Sequence, residues 1–262
     1  MKVIKKLAIA GVVCSTLFFG SCKDDSVDPT PTKTCRVSET MDDDGSKTTY
    51  TWDGSNLVEL SNTDSFGSFK YVYTYESGKL AQISSSSDGS VGDVYKLVYT
   101  GSQVTRVDVY DGADVWEYYN ISYNTDGTIK MVDNFVVEDP SDVLYSSYEY
   151  TYTSGKLTKV YMIQDADDDG VLDKDVDDVS TITVSATDGK TNPLYGLPTI
   201  YTDFSDIFSL LKDNMNGGII EFGGIPIGVS ATYEYNSDNL PTKRTATVFG
   251  ETTVTSFSYK CE

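Results

Sequence analysis

Apolar and polar residues alternate along most of this chain. Phe69, Tyr71, Tyr73 and Tyr75 fall on one side of an extended segment, with Lys70 and Thr74 on the other. Tyr148, Tyr150 and Tyr152 alternate with Glu149 and Thr151, and Val229, Ala231, Tyr233 and Tyr235 with Ser230, Thr232 and Glu234. Phe257, Tyr259 and Cys261 repeat the pattern against Ser256, Ser258 and Lys260. A period of two is that of a β-strand with one face buried. Short Gly- or Asn-containing stretches between these runs supply the positive φ of tight hairpin turns. The pattern predicts an antiparallel meander of roughly a dozen or more strands, many of about five to eight residues.

One stretch departs from the period. Phe204, Ile207, Phe208, Leu211 and Met215 lie at helical spacing. A short helix is therefore expected over 203–215, capped by Asp203 or Ser205 and ended by Gly217-Gly218. The preceding segment, residues 191–198, carries two prolines and a glycine and reads as loop. A long sheet with one apolar face has to curl on itself, pack on a second sheet or be covered. The expected fold is all-β: a meander curled into a barrel-like sheet, with the helix covering or plugging it. A two-sheet β-sandwich is the alternative. A transmembrane barrel is disfavoured, because lipid-spanning strands need about 9–11 residues.

Within the meander a unit recurs. It is clearest in Tyr73-Thr-Tyr-Glu-Ser-Gly-Lys-Leu80 and Tyr150-Thr-Tyr-Thr-Ser-Gly-Lys-Leu157, with variants beginning at Tyr50, Tyr99, Tyr123 and Tyr233. Trp52, Tyr75, Tyr99 and Tyr123 succeed one another at steps of 23, 24 and 24 residues. Each unit is an aromatic strand end, a tight turn, and an aliphatic residue opening the next strand. These Tyr-x-Tyr-x-x-Gly-x-Leu units, with the Asn192-Pro193 loop, resemble the tyrosine-rich YD-type repeats of RHS-like proteins. Over residues 45–262 they resemble more closely a family of uncharacterised Bacteroidota lipoproteins with a porin-like fold. That resemblance implies a barrel-like meander. It implies no activity and carries over no functional residues.

The N-terminus adds a location. Lys2, Lys5 and Lys6 precede an apolar run from Leu7 to Phe19, too short to span a membrane, and Gly20-Ser21 lead to Cys22. Residues 1–21 read as a signal peptide whose end resembles a bacterial lipobox, with Cys22 as the acylated residue. Lys23-Asp24-Asp25 resembles the tag that sends Bacteroidota lipoproteins to the outer face of the outer membrane. Residues 22–34, polar with two prolines, read as a flexible tether, and 35–262 as a single β-domain.

Charge and composition narrow the chemistry. Cleavage before Cys22 removes three lysines and no acid from 20 basic and 40 acidic residues, leaving a net charge of −23. Such a surface repels nucleic acid and anionic lipid, so the expected membrane contact is through the lipid anchor only. The chain contains no histidine. That excludes Ser-His-Asp and Cys-His catalysis and the usual zinc ligand, and no carboxylate pair stands out, so no catalytic residues are assigned. Of the four cysteines, Cys14 lies in the signal and Cys22 is the lipid site. Cys35 and Cys261 are left as a disulfide joining the first strand to the last.

The most specific local motif is acidic. Asp165, Asp167 and Asp169 occupy positions 1, 3 and 5 of a calcium-loop pattern, with Gly170 at 6, the Val171 carbonyl at 7 and Asp173 at 9. Position 12 is Val176, so the closing bidentate glutamate is missing, and Asp175 or Asp177 is expected to replace it. The competing reading is a solvated acidic hairpin loop. A structural calcium is favoured because a hard cation relieves so dense a run of like charge. Trp52 and Trp116 are candidates for sugar stacking, against the commoner fate of tryptophan as core. Together these features point to a surface-anchored, non-enzymatic binding or accessory lipoprotein, with glycan or nutrient capture as its role and a glycan or outer-membrane uptake protein as partner. The alternatives are a structural or adhesive module and a carrier of an apolar ligand inside the barrel.

Overall fold

A computed structural model describes residues 33–262 except 140, 168 and 199–206. The signal peptide, Cys22 and all but the last two residues of the tether lie outside the described residues, as do Asp203, Phe204 and Ser205 at the expected helix start. The described residues form sixteen strands in one closed antiparallel barrel, each paired with its neighbours in sequence. They are β1 (Cys35–Asp42), β2 (Lys47–Asp53), β3 (Asn56–Asp64), β4 (Gly67–Glu76), β5 (Lys79–Ser87), β6 (Ser90–Thr100), β7 (Gln103–Asp111) and β8 (Asp114–Tyr123). There follow β9 (Ile129–Val136), β10 (Val143–Thr153), β11 (Lys156–Gln164), β12 (Asp178–Thr191), β13 (Asp213–Phe222), β14 (Ile225–Tyr235), β15 (Pro241–Val248) and β16 (Glu251–Cys261). β1 pairs with β16, and the Cys35–Cys261 disulfide, spanning 226 residues of sequence, lies on that closing seam. The sandwich alternative is thereby excluded.

The strands are longer than the sequence suggested. Only β1, β2, β9 and β15 are under nine residues, because the turns consume few positions and serine-rich ends such as Ser84–Ser87 extend the wall. Strand length therefore does not argue against a membrane barrel. Side-chain polarity does. The alternating apolar set points inward: Val37, Leu57, Ile83, Val107, Val109, Val132 and Val160 are almost wholly buried. The outward set is polar, with ion pairs Glu39–Lys47, Glu59–Lys70 and Glu234–Lys243, and threonine pairs Thr100–Thr105, Thr153–Thr158 and Thr247–Thr252. A transmembrane barrel needs the reverse, an apolar band outside and a polar lumen.

Sixteen strands enclose a space that leaves a water channel in porins. Here the described residues of the β12–β13 connection, 192–198 and 207–212, pack against its inner wall. Leu194 and Leu197 pack on one apolar cluster of the wall, and Phe208, Leu210 and Leu211 on the other. The connection is pinned by Asn192, whose Nδ2 donates to the carbonyls of Phe208 at 2.6 Å and Leu211 at 2.9 Å. Among the described residues the expected helix is seen as the turn α1 (Ile207–Leu210), and it does not continue through 211–215. Leu211 and Met215 are buried by a different route: the chain leaves the plug and enters β13 at Asp213, so the apparent helical spacing spans two elements. Gly217 and Gly218 do not end a helix. They are paired in β13, and a Cβ on Gly218 would stand 2.7 Å from the Thr183 carbonyl oxygen.

Candidate functional site

The plug and the two cysteines lie at one mouth of the barrel, where even strands end and odd strands begin. At this mouth the repeated aromatic has a defined task. Antiparallel pairing between an odd strand and the next even strand stops short of the rim, and an aromatic three residues beyond the last pair bridges the splayed seam. It donates to the carbonyl two residues before the last pair on the odd strand. Tyr75 reaches Leu57 O at 3.0 Å, Tyr99 reaches Leu80 O at 2.8 Å and Tyr123 reaches Val104 O at 2.8 Å. Tyr233 reaches Met215 O at 2.9 Å, and Tyr259 reaches Pro241 O at 2.7 Å. Trp52 makes the same clasp with its indole N–H, 2.8 Å from Val37 O. Burial raises the pKa of the Tyr75, Tyr99 and Tyr123 phenols, as expected where a hydroxyl is withdrawn from water into such a bond.

Two of the eight seams lack the clasp. At β11–β12 the corresponding position is Ala186. At β9–β10 the last pair is Glu149↔Met131, which places Tyr152 opposite the Ile129 carbonyl, yet among the described residues Tyr152 has no hydrogen-bond partner. Its phenol is pushed up to about 12, by burial first and then by Asp126 and Tyr195. A cleft of about 460 Å³ opens along this seam, lined by Asp126, Lys130, Glu149 and Tyr152 among others. A second cavity of about 310 Å³ adjoins it, shares Thr128 and Tyr152, and reaches Tyr195 and Lys212 beside the plug.

The expected metal loop is at the opposite mouth, between β11 and β12. Asp165, Asp167 and Asp177 bring one carboxylate oxygen each to within 4.8 Å of one another. Asp165 and Asp177 are buried there because they organise the loop: Asp165 accepts the N–H groups of Asp167 and Gly170, and Asp177 those of Ala166 and Asp173. Asp177 thus closes the loop at position 13. The sequence signal for it was only the excess of aspartates after the motif. The cluster does not include Asp169 or Asp173. Asp169 Oδ1 instead accepts the N–H of Val171, and Asp173 Oδ1 that of Asp175. Asp167 is exposed, and its pKa is raised by desolvation first and then by the charges of Asp169, Asp165 and Asp177. Three carboxylates converging in this way, with Gly170 in the left-handed region at φ 76°, suit a hard oxygen-seeking cation.

The tryptophans are separated. Trp52 is part of the clasp ring, packed on the wall with Arg36 over its ring at 5.7 Å. Trp116 is 41 % exposed at the mouth that carries the acidic loop. It has company there: Phe66, Val91, Val137, Val171, Ile225 and Phe249, all exposed, lie in or beside the hairpin turns of the same mouth. Inside the barrel the side chains become polar toward this end. Glu117 accepts a 2.8 Å hydrogen bond from Asn134 Nδ2, and both residues are buried.

No family model matches the chain, and no curated protein matches it. Among solved structures it is similar to a porin-like protein from Bacteroides uniformis ATCC 8492, at 15% identity and TM-score 0.55 over 86% of this chain and 96% of that one. It is also similar to a porin-like protein from Bacteroides vulgatus ATCC 8482, at 12% identity and TM-score 0.56 over 86% and 99% of the two chains. At these identities the likeness is one of fold.

Proposed function

We propose that this chain is a lipid-anchored, non-enzymatic binding protein of the outer membrane's outer face, acting in capture of glycans or other nutrients. The observation that carries this reading is the polarity of the barrel: its wall carries ion pairs and threonines while its apolar residues face a plugged interior. Such a barrel belongs in water, and acylation at Cys22 would hold it at a membrane that its own strands do not enter. Among the described residues, one cavity between plug and wall, beside Asn192 and Arg244, is about 20 Å³, room for about one water. The ring of exposed apolar turn residues at the mouth opposite Cys35 favours a second reading, an adhesive surface module that docks through that rim.

Metabolic labelling with palmitate, combined with protease shaving of intact cells, tests the location. Label on the wild-type chain, none on Cys22→Ser, and loss of the barrel on shaving are expected. Label on both chains, or a barrel protected from protease, contradicts it. Calcium is proposed as a structural ion of the 165–177 loop, held by Asp165, Asp167 and Asp177. Calorimetric titration is expected to give binding heat that Asp167→Ala abolishes, and absence of heat in the wild-type chain removes the site.

A further inference from the structure

We infer that the open seam between β9 and β10 is a binding cleft for a neutral oligosaccharide, with Tyr195 as the stacking platform and Tyr152 as a hydroxyl donor. This rests on the capture reading above and gives it a place. The departure from the repeat is specific to this seam. The β8–β9 hairpin is closed by a loop in which Asn124 N–H donates to Thr128 O, and the β14–β15 hairpin uses the same turn, with Asn236 N–H donating to Leu240 O. Beside the second of these loops, Tyr259 makes its clasp. Beside the first, the equivalent Tyr152 makes none. Loop length therefore does not explain the missing bond. A residue in register for the clasp has been left with a free hydroxyl, and the seam it would have closed is a cleft instead.

The lining selects the ligand class. Tyr195 is 52 % exposed and stands beside Tyr152, offering the flat apolar face on which the C–H side of a sugar ring stacks. Asp126 has its Oδ1 committed to the N–H and hydroxyl of Thr128, which leaves Oδ2 to accept from a ligand hydroxyl. Lysines 130, 156 and 212 line the two volumes with carboxylates 126 and 149, and Lys156 is paired with Asp213 at 2.5 Å, so the cleft lacks the single-sign charge that selects an ionic ligand. Its adjoining volumes, about 460 and 310 Å³, are of the size that holds small ligands, about 300–1,000 Å³. Two adjoining solvent-open clefts that share Thr128 and Tyr152, with one aromatic platform and several donors and acceptors, fit a chain of hydroxyl-bearing rings.

The test is calorimetric titration of the mature chain with cellohexaose, xylohexaose, mannohexaose and maltohexaose, and with hexagalacturonate as the acidic comparison. Binding of at least one neutral hexasaccharide is expected. Tyr195→Ala should weaken it about tenfold and Tyr152→Phe about fivefold. Tyr99→Phe, which removes a clasp outside the cleft, should leave affinity unchanged. Thermal melts of each variant report whether the barrel is intact. Binding that survives both cleft substitutions overturns the cleft and leaves the capture reading standing. Binding of hexagalacturonate alone overturns the neutral class, and no binding to any of the five overturns the cleft as an oligosaccharide site.

Discussion

Replacing Tyr99 by Phe removes one hydroxyl and nothing else from the wall. In the folded chain that hydroxyl donates to Leu80 O at 2.8 Å, where β5 and β6 have ceased to pair. A hydrogen bond of this kind contributes about 0.5–1.5 kcal/mol net, and stranding a sheltered carbonyl moves the cost toward the upper end. For a domain of this size each kcal/mol moves the melting temperature by about 2–4 °C, so a loss of about 3–5 °C is expected. Tyr152→Phe removes the same group from the same register position, but there the hydroxyl has no described partner. Its expected cost is about zero, within the ±0.5 kcal/mol of an uncoupled substitution. The pair can be measured by urea unfolding followed by tyrosine fluorescence and far-UV circular dichroism, with coincident transitions as the check on two-state behaviour. Equal costs for the two substitutions would refute the clasp as the reason for the tyrosine repeat.

Other consequences can be checked on the same material. Gly218→Ala places a Cβ 2.7 Å from Thr183 O and is expected to cost about 1–3 kcal/mol, read as a lower urea midpoint, whereas Gly228→Ala meets no atom within 4 Å and should cost less. Reduction of Cys35–Cys261 releases a closure of 226 residues; chain entropy puts that at up to about 5 kcal/mol, measured as the drop in unfolding free energy in dithiothreitol. Because the folded-state pKa of Asp167 is raised, its contribution is favourable below the ordinary aspartate range and is lost as pH climbs through the raised value. Added calcium should therefore raise the melting temperature at pH 7 and do so much less at pH 4, and an equal rise at both pH values contradicts the site.

Much of the fold was legible because a period of two leaves little freedom. Once Tyr71, Tyr73 and Tyr75 share a face, the inward set follows, and the barrel bears that out residue by residue. The closing disulfide was legible because Cys35 and Cys261 were the cysteines left after the signal and lipid sites were assigned. Strand length was not. Ser84–Ser87 lacks the apolar signal of a strand, yet backbone pairing to β4 and β6 carries it into the wall. The C-terminal end of the helix was placed too far along because Phe208 in α1 and Met215 in β13 pack on the same core with Leu211 between them, a coincidence of spacing that sequence periodicity reads as one face. The acidic loop was half legible: Asp165, Asp167 and Asp177 converge as expected, Asp177 through two backbone hydrogen bonds that fold the loop back, whereas Asp169 and Asp173 accept N–H groups within the loop instead. The cleft had no sequence signature at all. Tyr152 matches its repeat, and what distinguishes it is a bond not made to a strand some twenty residues away.

The central claim, that this barrel is built to stand in water around an apolar interior, is tested most directly by expressing residues 23–262 without lipid or detergent and following them by sedimentation and circular dichroism. A folded β-barrel that stays dispersed in plain buffer, and adds no conductance to a planar bilayer, is the result predicted. A chain that aggregates until detergent is supplied, or that opens channels across the bilayer, would mean that the wall faces lipid.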